Sequence, residues 1–116
     1  FISAELASNM LSTFLKTAAK ECSQLTMTEL LQDCAQARSI VCDNGQDSCS
    51  YAESTANHVF ENTLDKWSIK YEFLAYTDAN APLIKLGKPC RLEKRSKLFP
   101  IPINSATMYA KLDICG

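Results

Sequence analysis

The stretch SIVCDNGQDSCSYAE, residues 39–53, sets two cysteines seven positions apart around a run of turn-forming residues. Cys42 and Cys49 could be metal ligands, a redox pair or part of a disulfide framework, and each choice puts the chain in a different class. The full set is Cys22, Cys34, Cys42, Cys49, Cys90 and Cys115. No two of these stand in the Cys-X-X-Cys spacing that zinc knuckles and thioredoxin-type redox sites share. The single histidine, His58, removes most mixed Cys/His zinc geometries. An even number of cysteines at wide, irregular spacing reads as three disulfides, and so as an oxidising compartment, extracellular or at the cell surface. Within the same stretch, Asn44-Gly45 is a strong turn signal calling for positive φ. Asp43, Asn44, Asp47 and Ser48 lack both the EF-hand spacing and its closing bidentate Glu. A solvated turn is expected there, with no metal and no cofactor.

Working outward, 116 residues with 47% hydrophobic and 22% charged content describe one globular domain spanning 1–116, long enough to bury a core. A net charge of −1 gives no reason to expect a nucleic-acid partner. No continuous apolar run reaches membrane-spanning length, so an exported form would have its signal or membrane anchor upstream of Phe1. The opening FISAE resembles the start of a mature type IV pilin, but Asn9, Lys16, Lys20 and Glu21 depart from the apolar helix of that family.

Helical periodicity dominates the first half. Residues 2–22 place Ala4, Ala7, Met10, Leu11, Phe14, Leu15, Ala18 and Cys22 in one stripe, opposite Glu5, Asn9, Lys16 and Lys20, as an amphipathic helix does. Thr26 and Glu29 have capping-box spacing and predict a helix over 27–37 that buries Leu30, Leu31 and Cys34. Ser50 and Glu53 have the same spacing and predict a helix over 51–66. Its inner stripe is Ala52, Ala56, Val59, Phe60, Thr63 and Trp67, with His58, Ser54, Glu61 and Asp65 outside. A serine, a histidine and acids on one helix face do not make a catalytic triad, because one exposed face lacks convergence and a dry oxyanion site.

The second half alternates with period two, as strands do. Strands are expected over 68–77, 82–86, 98–103 and 106–115. In the last of these, Met108, Ala110, Leu112 and Ile114 point inward, and Tyr109, Lys111 and Asp113 outward. RLEKRSK, residues 91–97, reads as a basic loop. Pro100 and Pro102 each delete a ladder donor and so belong on a sheet edge. Helices followed by strands give an α+β fold with a small antiparallel sheet covered on one face.

Fifteen pairings of six cysteines are possible. Cys90 and Cys115 are the only two in the strand half, so they are expected to pair, closing a loop worth roughly 3.5 kcal/mol in the chain-entropy model. The helical half then holds either Cys22 with Cys34 and Cys42 with Cys49, or Cys22 with Cys49 and Cys34 with Cys42.

From LTMTELLQDC through SCSYAESTANHVFENTLDKW and LFPIPI to MYAKLDICG, the motif order resembles a group of archaeal extracytoplasmic, cysteine-containing proteins. In that group a membrane-anchoring N-terminal segment precedes the helices. The resemblance implies a cell-surface setting and carries over no catalytic residue. The expected function is non-enzymatic: a disulfide-stabilised surface protein with a structural or assembly role, such as a filament subunit. Its partner would be a protein, self-association included, joined through the N-terminal helix and the proline-bearing edge. The alternative is a monomeric secreted module binding a protein or glycan through Arg91, Lys94, Arg95 and Tyr109, with Tyr76 and Phe99 beside them.

Overall fold

Apolar residues recurring every three or four positions force the first helix to lie on the core. The computed structural model describes residues 4–116; the expected helix start at residue 2 and the stripe position of Ala4 fall outside what is described. Helix α1 runs Ala4–Lys16 and buries Ala7, Leu11, Phe14 and Leu15. It does not continue to residue 22. The chain instead forms a two-stranded ribbon in which β1 (Ala18–Ala19) pairs antiparallel with β2 (Leu25–Thr26). Ala18, expected to be buried, is exposed. The ribbon turns through Ser23 and Gln24, both at positive φ (57° and 59°), and the Leu25 N–H closes the turn on the Cys22 carbonyl at 3.1 Å. Folding back this way keeps Cys22 buried and within disulfide reach of Cys42.

Helix α2 (Met27–Ala35) starts on the predicted capping box: the Glu29 N–H donates to Thr26 Oγ1 and the Thr26 N–H donates to Glu29 Oε1. It buries Met27, Leu30, Leu31 and Cys34 and ends two residues short of the expected 37. Helix α3 (Ser48–Phe60) begins three residues earlier than expected. Its cap is Asp47, whose carboxylate accepts the Ser50 N–H at 2.7 Å. Ser50 is therefore inside the first turn and Ser50–Glu53 is not the cap. An ionised acceptor at the positive helix end is the stronger cap, and this start brings Cys49 into the first turn.

α3 runs on into a π-helical turn, Glu61–Asp65. The wider turn places Leu64 in the core and leaves Trp67 60% exposed, against the expected inner stripe. The helix then closes on a Schellman motif. Ser68 takes φ 57°, the Ile69 N–H reaches the Leu64 carbonyl at 2.8 Å, and the Ser68 N–H reaches Asp65 at 3.0 Å.

The strands are β3 (Tyr71–Tyr76), β4 (Ile84–Gly87), β5 (Lys94–Ile103) and β6 (Ala106–Cys115). They form one antiparallel sheet in the order β4-β3-β6-β5. β6 matches its predicted bounds. β5 is longer than expected and absorbs Lys94, Arg95 and Lys97 of the supposed basic loop, because β6 offers pairing along its full length, Cys115 opposite Lys94 included. Pro100 and Pro102 lie on that outer strand, two residues apart, so both nitrogens face the unpaired edge. Among the described residues the architecture is α+β: three helices, the ribbon and the four-stranded sheet.

One face of the sheet carries Phe73, Ala75, Ile84, Ile101, Met108, Ala110, Leu112 and Ile114, all buried against the helices. Phe14 of α1, Phe60 of α3 and Phe73 of β3 join the two layers, with ring centroids 5.4–5.9 Å apart. Such pairs contribute about 0.5–1.5 kcal/mol each beyond their burial.

Candidate functional site

Crosslinks position the surfaces. Cys90 bonds Cys115 as expected. The helical half adopts neither predicted arrangement: Cys22 bonds Cys42 and Cys34 bonds Cys49, with Cα–Cα distances of 4.4 and 4.9 Å. The reason is local. The turn after Cys42 is already closed by backbone, the Cys42 N–H donating to Gln46 and the Gly45 N–H to Cys42, with Gly45 at φ 87° as the Asn-Gly signal required. Asp43 donates to the Glu21 carbonyl, which aligns Cys42 with Cys22. Cys49, in the first turn of α3, reaches Cys34 on α2. No described cysteine is free. Three disulfides in so short a chain mark an oxidised protein, consistent with an extracellular location.

Asp33 buttresses this region. Partial burial raises its pKa, but donors outweigh that effect: the Ile40 N–H on Oδ2, and the Ser39 N–H and hydroxyl on Oδ1, hold the carboxyl below its ordinary value. Ser48 also lies near Asp33, fully buried, but its hydroxyl finds no partner at hydrogen-bonding distance.

In the sheet half, residues 88–93 pass the Tyr71 end of β3 and the Cys115 end of β6 to link the two edge strands. Backbone bonds pin this crossover: the Lys88 N–H to Tyr71 at 3.1 Å and the Gly116 N–H to Glu93 at 2.8 Å. Gly87, at φ 77°, opens it. A Cβ there would overlap the Tyr71 carbonyl oxygen and lie 3.0 Å from its carbon, so only glycine lets the strands approach this closely. A cleft of about 730 Å³ opens between the crossover, the π-helical turn and β3, lined by Asp65, Lys70, Tyr71, Lys88 and Arg91 among others. Burial, then the charges of Asp65 and Glu61, raise the pKa of the Tyr71 phenol.

Among the described residues, no helix packs on the sheet face away from α1, α2 and α3. Cross-strand registers set its rows. One row is Lys85, Leu74, Lys111 and Leu98. A second holds Tyr76, Tyr109 and Pro100, with the tyrosine rings 5.7 Å apart. A third sets Glu72 opposite Asp113, beside Ser96. Two carboxylates facing each other repel, and the neighbours offset this. Asp113 is buried and accepts the Ser96 hydroxyl at 2.5 Å, with Lys94 and Lys111 ammonium groups each 3.5 Å away.

The residues singled out from sequence are therefore divided. Lys94 and Tyr109 lie on the open face, and Lys94 already faces Asp113. Arg95 is opposite Ile114 and Phe99 opposite Ala110, which puts both on the helix side of the edge strand, where Lys97 lies 5.1 Å over the Phe99 ring. Arg91 belongs to the crossover. Sequence reasoning missed Leu74, Lys85 and Leu98, whose common face is set by register alone. On α3, His58 contacts Asn62, while the Ser54 hydroxyl accepts from Gln46. Among the described residues no three His, Cys, Asp or Glu side chains cluster as metal ligands would.

No protein-family model, curated protein or solved structure matches this chain.

Proposed function

We propose that this chain is a non-enzymatic, disulfide-stabilised protein of the cell surface or extracellular space with a structural or assembly role, meeting a protein neighbour through the open face of its sheet. The observation that carries this reading is the composition of that face. Tyr76, Tyr109, Leu74, Leu98 and Pro100 share a face that none of the described helices covers, Leu98 being 45% exposed. Aromatic and aliphatic side chains on a rigid flat surface are what a protein contact uses.

Two sites favoured by sequence are less suited. The N-terminal helix spends its apolar stripe on the core. The β5 edge is blunted by Pro100, Pro102, Lys94, Arg95 and Lys97, and the other edge, β4, has only four residues; both features resist strand addition. The three disulfides support the surface setting.

The test is sedimentation of the native, unreduced protein, with negative-stain microscopy of its assemblies. Self-association weakened by Leu98→Ser with Tyr109→Ser supports the reading, and a strict monomer at high concentration counts against it. The second reading, a monomeric binding module, is favoured by the cationic cleft. Charge reversal at Lys88 and Arg91 should then abolish capture of a partner from surface extract while leaving the protein monomeric.

A further inference from the structure

The charges of the chain are sorted between its layers. Residues 1–65, which build the helices, carry nine carboxylates against three cations, whereas residues 66–116, which build the sheet, carry nine cations against four carboxylates. Burial sharpens the contrast, since Glu72 and Asp113 are two of those four and are 8% and 3% exposed. Residues 39–65 contain no lysine or arginine. Their acids Asp43, Asp47, Glu53, Glu61 and Asp65 are exposed on α3, its approach and its π-helical end. On the other layer the open sheet face presents Lys85 and, each beside the buried Asp113, Lys111 and Lys94, while Arg91 lies in the adjoining crossover in the cleft that Asp65 also lines.

We propose that the partner of the open sheet face is a second copy of this chain, seated with the acidic α3 side of one molecule on the basic sheet face of the next. The inference rests on the assembly reading above and names its contact. Two different patches meet, so every pair leaves one acidic and one basic face free, and the contact repeats into a ring or an open array. The spacings agree. Glu53 and Glu61 are eight residues apart, about 12 Å along a helix. Lys85 and Lys111 are two strands apart, about 10 Å across a sheet. Leu74 lies between the two lysines, with Leu98, Tyr76 and Tyr109 around them, apolar surface that a seated neighbour removes from water. The charged groups of the face are Lys85, Lys94 and Lys111 against the buried Glu72 and Asp113, which leaves the outer surface positive.

The test is sedimentation velocity of the unreduced protein in about 10 mM and about 150 mM salt, between which the screening length falls from roughly 30 Å to roughly 8 Å. The association constant should fall by about tenfold or more. Two double variants sharpen the result. Lys85→Glu with Arg91→Glu makes both faces acidic; Glu53→Lys with Glu61→Lys sets two cations among Asp43, Asp47 and Asp65 and so removes most of the charge of the α3 side. None of these four side chains forms an ion pair among the described residues, and circular dichroism checks that the fold persists. Each variant alone should be monomeric, and an equimolar mixture should pair again, the native acidic side of one variant seated on the native basic face of the other. Association that survives both reversals overturns this contact and leaves the assembly reading standing. A wild-type protein that stays monomeric in low salt overturns both. A monomer that gains mass only when a sulfated polysaccharide is added assigns the basic face to an anionic polymer and likewise overturns the inference.

Discussion

Gly87 and Gly45 both have positive φ, 77° and 87°, yet they should answer alanine differently. At Gly45 an added Cβ meets nothing within 4 Å. Gly45→Ala therefore carries only the left-handed backbone penalty, about 1–2 kcal/mol. At Gly87 the same penalty applies, and the Cβ also overlaps the Tyr71 carbonyl oxygen. That atom is backbone in a paired strand and cannot swing aside. The end of β4 must retreat, which breaks the Lys88 N–H bond to Tyr71 and the pairing of Gly87 with Glu72, at about 1 kcal/mol each. Gly87→Ala should thus lose about 3–4 kcal/mol. With a urea slope of about 1.5 kcal/mol per molar, the unfolding midpoint falls by about 2–2.7 M, against about 0.7–1.3 M for Gly45→Ala. Equilibrium urea unfolding of the oxidised variants, followed by circular dichroism, measures both. If the two alanines fall within about 0.5 kcal/mol of each other, the close approach of β4 to β3 is refuted.

Other perturbations follow from the same packing. Replacing Cys34 and Cys49, 15 residues apart, by alanine should lower stability by about 3 kcal/mol, and replacing Cys90 and Cys115, 25 apart, by about 3.5 kcal/mol; losses below about 1 kcal/mol in urea unfolding would contradict this. Phe60→Ala removes the ring that meets Phe14, Tyr71 and Phe73 and should cost about 3–5 kcal/mol, whereas Phe60→Leu should recover at least half of that in the same assay. Asp33 titrates below its ordinary value of 3.8, so the unfolded chain takes up its proton first. Its contribution is complete above that value and disappears as pH falls through the native pKa. Asp33→Asn should flatten the acid limb of a stability-versus-pH curve below about pH 4; an unchanged slope would rule out this role.

Where the determinants are local, the sequence could be read directly. β6 was bounded correctly because alternation over Ala106–Cys115 has no competing period, and the Thr26–Glu29 box placed α2 because both partners lie within one turn. The end of α1 was hidden because Ala18 and Cys22 continue its 3.6-residue period. What stops the helix is remote: the ribbon with Leu25–Thr26 and the crosslink to Cys42. The start of α3 offered two competent caps, Asp47 and Ser50, and a contact with α2 through Cys49 accompanies the one used. Lys94, Arg95 and Lys97 looked like a solvated loop, but an edge strand tolerates charge. The helical disulfide pairing depends on distances that no spacing rule encodes. As for the candidate surface, Tyr109 and Tyr76 were named from sequence, yet the segregation of charge was averaged away in a net value of −1. Counted by halves, the segregation is legible along the chain; what no linear count shows is that one half builds the helices and the other the sheet.

The two bridges of the helical half interleave, Cys34 falling between Cys22 and Cys42, and Cys42 between Cys34 and Cys49. A protease that cuts once anywhere from residue 23 to 48 therefore releases nothing, and the third bridge protects 91–114 in the same way. Between Cys49 and Cys90 the backbone is the sole covalent thread, and its exposed hairpin at 77–81 is the seam along which one nick would part the acidic portion of the molecule from the basic one.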